Sequence, residues 1–262
     1  QKPDITNTPD AIQKTIKGNI KFENVSFTYE DTDITALKNI SFEVKAGQRL
    51  VILGNTGSGK STILELIGRL YDVSQGTIFV DGVPIEKLDL NDLRNAIGYV
   101  PQDAFLFSDS IKENIKFGKA DATDEDIIEA AKNAEVHDNI MNFSKQYDTI
   151  LGERGITLSG GQKQRVSIAR AIIKSPQIVL FDDCLSAVDT ETEEVIMQKF
   201  NSLSKDKTAI IVSHRVSSAR NADDIIVLKD GKILQQGNHE ELVNQEGYYK
   251  SLYEKQLKAK EN

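Results

Sequence analysis

The chain has 262 residues and a hydrophobic content of 39%, which is enough for one sizeable core and predicts one domain with a subdomain. Its net charge of −8 provides no broad basic surface, so a nucleic-acid partner is not expected. Cys184 is the only cysteine, which excludes a disulfide framework within the chain and suits a reducing compartment. No apolar run approaches the roughly 18 residues of a membrane-spanning helix, so direct membrane insertion is not expected.

The first part of the chain is rich in strand patterns. Residues 1–14 are polar, hold two of the five prolines and show no charged-then-apolar leader, so they are interpreted as a linker or a flexible entry to the domain. Residues 19–28 alternate and predict a strand with Tyr29 at its end. The sequence favours strand-end packing as the role of Tyr29, and the alternative is an aromatic platform for a nucleobase. Further strands are predicted at 40–44 and 76–80, with a tight turn at Asp81-Gly82.

A glycine-rich loop lies between a short apolar run at 50–53 and a helical pattern at 61–70. The loop fits G-x-x-x-x-G-K-[ST], with Gly54, Gly59, Lys60 and Ser61 at the fixed positions. Glycines allow close approach of the backbone, and successive N–H groups at a helix N-terminus form a concavity for phosphate oxygens. Lys60 is therefore expected near the β- and γ-phosphates, and the Ser61 hydroxyl is expected to bind Mg²⁺.

The middle of the chain changes character. A strand is predicted at 97–100 and leads to Gln102, which is either an ordinary loop amide or a group that reaches a metal or water from the strand end. The apolar residues 104–107 are interpreted as core, including Phe105 and Phe107. From residue 110 the pattern is helical, which predicts a helical insertion that contains His137 as a helix-surface residue.

A second helix opens with two glycines after Ser159, which is a good N-cap. Gly160 and Gly161 weaken the first turn of this helix, and a simple cap does not explain them. They bare backbone N–H groups, so a second phosphate site is possible here. Pro176 disfavours helix at Ser175.

The last third carries candidate catalytic groups at strand ends. Residues 177–181 predict a buried strand that ends in Asp182 and Asp183. Asp182 is the expected Mg²⁺ partner of a P-loop site, with a structural turn aspartate as the alternative, and Asp183 is a candidate to position or deprotonate the attacking water. His214 follows a predicted strand at 209–213, where a γ-phosphate contact is favoured over a structural role.

The remaining residues predict a hairpin and helices. Strands at 225–228 and 232–236 flank Asp230-Gly231, which is a strong turn signal. His239 is expected on the surface of the first turn of a following helix, and residues 252–262 predict a charged helix that fades to disorder.

Together these motifs resemble the nucleotide-binding domain of an ABC transporter, and they are most similar to bacterial exporter-type half-transporters of the multidrug or lipid class. The motifs occur in family order, and residues 149–155 (TILGERG) resemble the exporter-specific loop before the signature motif. The matching nucleotide-binding positions are an A-loop aromatic at Tyr29, Walker A at Gly54, Asn55, Thr56, Gly57, Ser58, Gly59, Lys60, Ser61 and Thr62, and the LSGGQ signature with Ser159, Gly160, Gly161 and Gln162. The others are the Q-loop Gln102, Walker B at 178–182, the D-loop at 186–189 and the switch His214.

The resemblance implies an α/β fold, a P-loop NTPase RecA-like core with an antiparallel β subdomain and an α-helical subdomain. Residues 1–17 would be a linker from a transmembrane domain, 18–256 the ABC ATPase domain with its helical subdomain at about 103–175, and 257–262 a tail. The implied cofactors are ATP and Mg²⁺, with Ser61, Gln102 and Asp182 at the metal and Asp183, His214 and Gln102 as catalytic residues.

The resemblance also implies partners. Two such domains bind head to tail, with each ATP between the Walker A loop of one and the LSGGQ motif of the other. The partners would be a second nucleotide-binding domain and the transmembrane domains of the full-length chain and its partner. The Gln102 loop and the helical subdomain would receive the coupling helices of the transmembrane domains, and lining of that groove is the alternative to core packing for Phe105 and Phe107. The domain would lie at the cytoplasmic face of the cell (inner) membrane and power export. An import or DNA-repair ABC ATPase is disfavoured by the TILGERG loop and by the short helical insertion.

One position departs from the family pattern. The family normally has Glu directly after the Walker B aspartate, where this chain has Asp183. Aspartate is one methylene shorter, and a displacement of about 1 Å can cost roughly 10²-fold in rate. The alternative function is therefore an ATP-gated dimerisation half of a heterodimeric exporter, with a degenerate site and little turnover.

Overall fold

The computed structural model describes residues 5–152, 157–203 and 206–261 and divides into two compact units. Unit 1 comprises Gln1–Ile97 and Asp206–Asn262, and unit 2 comprises Gly98–Lys205. The helical subdomain predicted at about 103–175 falls within the bounds of unit 2. Within the predicted exporter-specific loop, residues 153–155 lie outside the described residues.

The described residues form ten strands: β1 (Ile20–Tyr29), β2 (Ile34–Val44), β3 (Arg49–Gly54), β4 (Gln75–Val80), β5 (Val83–Pro84), β6 (Ile97–Val100), β7 (Ile178–Asp182), β8 (Thr208–Val212), β9 (Asp224–Lys229) and β10 (Lys232–Gly237). The same residues form ten α-helices: α1 (Lys60–Ile67), α2 (Leu90–Ala96), α3 (Ile111–Lys116), α4 (Asp124–Asn133), α5 (His137–Met141), α6 (Gly160–Ile172), α7 (Thr190–Leu203), α8 (Val216–Ala219), α9 (His239–Asn244) and α10 (Tyr248–Glu261). None of these helices combines the length and the apolar character needed to span a bilayer.

An antiparallel sheet in unit 1 has the order β2-β1-β4-β5. The alternation along β1 buries one face of the strand, and Phe22 of that face stacks on Phe42 of β2 with ring centroids 4.5 Å apart. The turn between β4 and β5 has positive φ at both central residues, 49° at Asp81 and 77° at Gly82. This is the geometry that a two-residue hairpin turn requires, and the predicted turn is confirmed.

A second group of strands in unit 1 surrounds β3. The strands β10, β9, β3 and β8 lie side by side in that order, and β3 runs parallel to both β8 and β9. Residues 50–53 are completely buried, as expected for a parallel strand with neighbours on both sides. Because parallel strands end at the same edge of a sheet, the loop after β3 and His214 after β8 both leave that edge.

Unit 2 contains the neighbouring strands β6 and β7, apart from the first residue of β6, and the helices α3 to α7. The long helix α6 buries apolar residues on more than one side, Val166 and Ile168 among them. It lies so close to the end of α3 that a Cβ at Gly118 would be 1.9 Å from the Arg170 carbonyl oxygen. The predicted helix start at Ser159 is confirmed, since Ser159 forms a capping box, and Thr123 forms a second one at the start of α4.

The interpretation of Phe105 and Phe107 as core residues is wrong. Their exposed fractions are 65% and 38%, and that of Phe117 is 69%. The three rings pack on one another at the surface of unit 2, with centroid distances of 5.1 Å and 4.8 Å. The Arg170 guanidinium lies 5.5 Å from the Phe107 ring centroid, so an aromatic and cationic cluster replaces the expected burial.

The described part of the predicted linker packs on unit 1. Ile16 is buried, and Ile12 forms a parallel bridge with Leu88. The backbone N–H groups of residues 17–19 donate to the Asp81 carboxylate at distances from 2.6 to 3.1 Å. At the other end of the chain, α10 continues to Glu261, past the predicted boundary at 256.

Candidate functional site

The glycine-rich loop joins β3 to α1 in unit 1. Gly59 is the N-cap of α1 with φ 100°, and a Cβ there would lie 2.5 Å from the Ala36 carbonyl oxygen. At Gly54 a Cβ would lie 2.3 Å from the Leu228 carbonyl oxygen. At Gly57 the φ is 78°, but a Cβ would meet nothing within 4 Å. Sterics therefore demand glycine at Gly54 and Gly59, whereas only backbone conformation favours it at Gly57.

The ammonium of Lys60 lies across the inside of this loop. Its Nζ donates to the carbonyl oxygens of Gly54 at 2.9 Å and Asn55 at 2.8 Å, and the residue is only 6% exposed. The hydroxyl of Ser58 is also buried and has no hydrogen-bond partner within the described residues. The first N–H groups of α1 have no acceptor within the helix. A buried cation, an unsatisfied hydroxyl and helix-start donors fit an anionic oxygen, so the loop suits a phosphate group.

Tyr29 lies at the end of β1, beside α1. Its hydroxyl donates to Glu65 Oε2 at 2.7 Å and lies 2.9 Å from Thr62 Oγ1. Burial is the main cause that raises the pKa of Tyr29 to about 12, so the phenol keeps its proton at neutral pH. The rings of Phe27 and Tyr71 pack edge-on against it, with centroids 4.8 Å and 5.4 Å away. The packing role of Tyr29 is therefore confirmed, and stacking on a nucleobase stays a prediction.

His214 follows β8 in unit 1, and the segment after it is held by the C-terminal helix. The Gln256 side chain of α10 donates to the His214 carbonyl oxygen at 2.8 Å and accepts from the Val216 N–H at 2.8 Å. A second residue of α10 reaches the phosphate loop, because the Tyr248 hydroxyl donates to Asn55 Oδ1 at 2.9 Å. Neither contact has a local sequence signal, since the partners are 42 and 193 residues apart.

Unit 2 carries the two aspartates after the predicted strand. Asp182 is the last residue of β7, is 5% exposed and accepts a hydrogen bond from the Tyr99 hydroxyl at 3.1 Å. Asp183 has a left-handed φ of 44°. Its carbonyl oxygen accepts from the Ser186 hydroxyl at 2.8 Å, which fixes the turn after the strand. The carboxylate oxygens of Asp182 and Asp183 belong to the class of oxygen donors that Mg²⁺ prefers, and so does the hydroxyl of Ser61 in unit 1.

The signature motif forms the N-terminus of α6 in unit 2. The Ser159 hydroxyl accepts from the Gln162 N–H at 3.2 Å, and the Gln162 side chain accepts from the Ser159 N–H at 3.0 Å. A Cβ at Gly161 would lie 3.0 Å from the carbonyl oxygen of Ala187, and one at Gly160 would lie 3.8 Å from its Cβ. The predicted N-cap is thus confirmed, and the close approach of Ala187 adds a steric reason for glycine at Gly161, whereas the distance at Gly160 is an ordinary contact. Phosphate binding at this helix start stays a prediction.

Gln102 lies in the loop after β6, and α6 is tied to it by a residue that sequence reasoning missed. The Gln164 side chain donates to the Gln102 carbonyl oxygen. Gln164 is 5% exposed, and its own amide oxygen has no partner among the described residues. The sequence signal for this contact was a polar glutamine at a position where an amphipathic helix is expected to bury an apolar side chain.

The structure thus assembles the phosphate loop, Tyr29 and His214 within unit 1. It assembles Gln102, the signature motif, Asp182 and Asp183 within unit 2. Each unit therefore contains one part of the predicted set of site residues.

Known proteins match this chain over nearly its whole length. A family model described as ABC transporter matches residues 37–186. The chain is 46% identical over 249 residues to YgaD of Bacillus subtilis (strain 168), named as a multidrug export ATP-binding/permease protein, and the match covers 95% of the chain and 43% of that protein. It is 47% identical over 259 residues to ATP-binding cassette sub-family B member 6 of Xenopus tropicalis, covering 99% of the chain and 30% of that protein. A solved structure of a bacterial Atm1-family ABC exporter with ATP bound has a TM-score of 0.91 at 40% identity, over 97% of this chain and 44% of the other.

The chain spans less than half the length of each of these proteins. The matches confirm the predicted resemblance and the predicted fold class. They give no support to the alternative in which Asp183 marks a degenerate half of a heterodimeric exporter.

Proposed function

This chain belongs to the ABC transporter family, whose nucleotide-binding ATPase domain it forms, and on that basis we propose that it binds Mg²⁺ and ATP and hydrolyses ATP to power export. The observation that carries the proposal is the phosphate loop of unit 1. There the buried Lys60 ammonium is held against loop carbonyls, and the glycines on either side leave no room for a side chain.

The residues divide into binding and chemical roles. The loop from Gly54 to Thr62 would bind the β- and γ-phosphates through backbone N–H groups and Lys60. Ser61, Gln102 and Asp182 would hold Mg²⁺, which when bound neutralises charge on the phosphate oxygens. The Tyr29 ring would stack on the nucleobase of ATP, and His214 would contact the γ-phosphate.

Asp183 is the proposed general base. It would take a proton from water as the water oxygen bonds to the γ-phosphorus and the bond from that phosphorus to the bridging oxygen breaks, releasing ADP and inorganic phosphate. The left-handed backbone at Asp183 is one that aspartate adopts more readily than most residues. Its backbone turn is also fixed by Ser186, whose hydroxyl donates to the Asp183 carbonyl oxygen.

The proposed assembly is a head-to-tail dimer with a second nucleotide-binding domain. The two proposed phosphate-binding loops, after β3 and before α6, favour this arrangement because each ATP would then use one loop from each partner. At the cytoplasmic face of the cell membrane, this dimer would drive the transmembrane domain of the full-length chain and that of its partner. The named multidrug exporters among the relatives support export as the direction.

The test uses two variants and one control. Lys60→Ala removes the charge in the loop, so the Kd for Mg-ATP should rise at least about tenfold in calorimetric titration. Asp183→Asn keeps the size of the side chain but cannot accept a proton, so phosphate release should fall at least about 10²-fold with the Kd unchanged. Asp31→Asn, in the exposed turn after β1, is the matched control and should change neither quantity.

Phosphate release is measured across a range of protein concentrations. A rate per chain that rises with concentration supports the dimer. Equal ATP affinity in Lys60→Ala would overturn the phosphate site, and full turnover in Asp183→Asn would place the base elsewhere.

A further inference from the structure

We propose that Thr62 and Glu65 of α1 are positioning residues that set the Tyr29 ring as a preformed platform for the nucleotide base. The inference rests on the proposed nucleotide site and adds the means by which base and phosphate recognition are joined. It comes from the hydrogen bonds between the Tyr29 hydroxyl and these two side chains.

The directions of these hydrogen bonds follow from the number of protons that each group can donate. The Tyr29 hydroxyl has one proton and donates it to the Glu65 carboxylate, which can only accept when ionised. The 2.9 Å contact with Thr62 must therefore be a bond in which the Thr62 hydroxyl donates to Tyr29. The result is a directed chain from Thr62 through Tyr29 to Glu65, in which every proton is committed.

The helix that holds the ring is the helix of the phosphate loop. Thr62 and Glu65 are three residues apart on α1, so they share one face of it. That helix begins at Lys60, directly after the loop. Fixing the tyrosine hydroxyl to α1 therefore fixes the ring relative to the phosphate loop, although Tyr29 belongs to β1.

The ring is also held at its sides without being covered by a parallel partner. Phe27 and Tyr71 make interplanar angles of 83° and 87° with Tyr29, so both pack edge-on. Neither stacks parallel on the ring, which is the arrangement that a planar base would adopt. A ring already ordered by its neighbours loses little side-chain freedom when a base stacks on it, and this preorganisation favours binding.

The inference predicts an effect on ligands that carry a base and none on phosphate alone. Tyr29→Phe keeps the ring and removes the hydroxyl, so the Kd for ATP should rise about three- to tenfold. The Kd for inorganic tripolyphosphate, which has no base, should stay unchanged in the same variant. Tyr71→Phe is the matched control, because within the described residues the Tyr71 hydroxyl makes no hydrogen bond.

Two substitutions of Glu65 separate charge from positioning. Glu65→Ala and Glu65→Gln both remove one negative charge from α1, but only Gln retains an oxygen that can accept from Tyr29. With ATP, Glu65→Ala should bind more weakly than Glu65→Gln, whereas with tripolyphosphate the two should bind equally. The double variant Tyr29→Phe/Glu65→Ala should bind ATP no more weakly than the single variant with the lower affinity, because both substitutions break the same chain of hydrogen bonds.

Both ligands are titrated against each folded variant. Wild-type affinity for ATP in Tyr29→Phe would overturn the positioning role while leaving the phosphate site intact. Equal losses for ATP and tripolyphosphate would also overturn it, because they would show damage to the loop itself. A wild-type chain that binds neither ligand would overturn the proposed function.

Discussion

The two inner glycines of the phosphate loop separate the effect of backbone conformation from the effect of space. Both Gly57 and Gly59 have left-handed φ values, 78° and 100°. A Cβ at Gly57 would meet nothing within 4 Å, but one at Gly59 would lie 2.5 Å from the Ala36 carbonyl oxygen and 2.9 Å from Leu37 Cδ2. The substitutions Gly57→Ala and Gly59→Ala therefore share one cost and differ in the other.

The magnitudes follow from these distances. A left-handed conformation costs a residue with a Cβ about 1–2 kcal/mol, which both variants lose. The forced shift of β2 at Ala36 is comparable to overpacking, which costs about 1–3 kcal/mol more in Gly59→Ala alone. For a chain of this size 1 kcal/mol corresponds to about 2–4 °C in Tm, so Gly59→Ala should melt at least about 2 °C below Gly57→Ala.

The assay is thermal unfolding followed by circular dichroism, with urea unfolding of the same three proteins as an independent measure. The wild-type protein should be the most stable and Gly59→Ala the least. Equal melting temperatures for the two variants would refute the reasoning, because they would show that contact with Ala36 does not determine the need for glycine at Gly59.

Two further predictions concern the C-terminal region. Gln256→Ala removes both hydrogen bonds to the segment after His214, so phosphate release should fall several-fold while tripolyphosphate affinity, measured by titration, stays at the wild-type value. Burial, and then the charge of Arg220, lowers the pKa of His239, whose ring bonds the Tyr249 hydroxyl at 2.7 Å. Because the unfolded chain then binds the proton more readily, the stabilisation by His239 is full above its unfolded pKa of about 6.5 and declines as pH falls below it. The stability difference between wild type and His239→Gln should shrink from pH 7.5 to pH 5.5 in urea unfolding, and a difference independent of pH would contradict this.

Local chemistry made much of the molecule predictable. The apolar run at 50–53 directly before the glycine-rich motif predicts a buried strand, and the turns at Asp81-Gly82 and Asp230-Gly231 needed residues that tolerate positive φ. Ser159 with Gln162 three residues later is a capping box in the sequence and in the structure. In each case the residues that determine the geometry are neighbours along the chain.

The features that were missed depend on distant parts of the chain. Gln164 bonds a carbonyl 62 residues away, and Gln256 bonds one 42 residues away. Phe105 and Phe107 have core-like side chains, yet they lie at the surface because Phe117 and Arg170 supply their packing there. No periodicity encodes which distant group a side chain will meet, so such contacts follow only from the tertiary structure.

Lys60 shows how the two kinds of information combine. The motif spacing predicts a positive charge for the phosphates, and the structure adds that the ammonium is already oriented by the carbonyl oxygens of Gly54 and Asn55. Hydrogen bonds from an ammonium to phosphate are charge-assisted on both sides and stronger than those to neutral carbonyls. A phosphate group therefore meets a cation whose desolvation has been offset by the loop itself. In the motif, Lys60 follows Gly54 at a fixed spacing. This spacing matches the reach of the lysine side chain back across the loop to the Gly54 carbonyl oxygen.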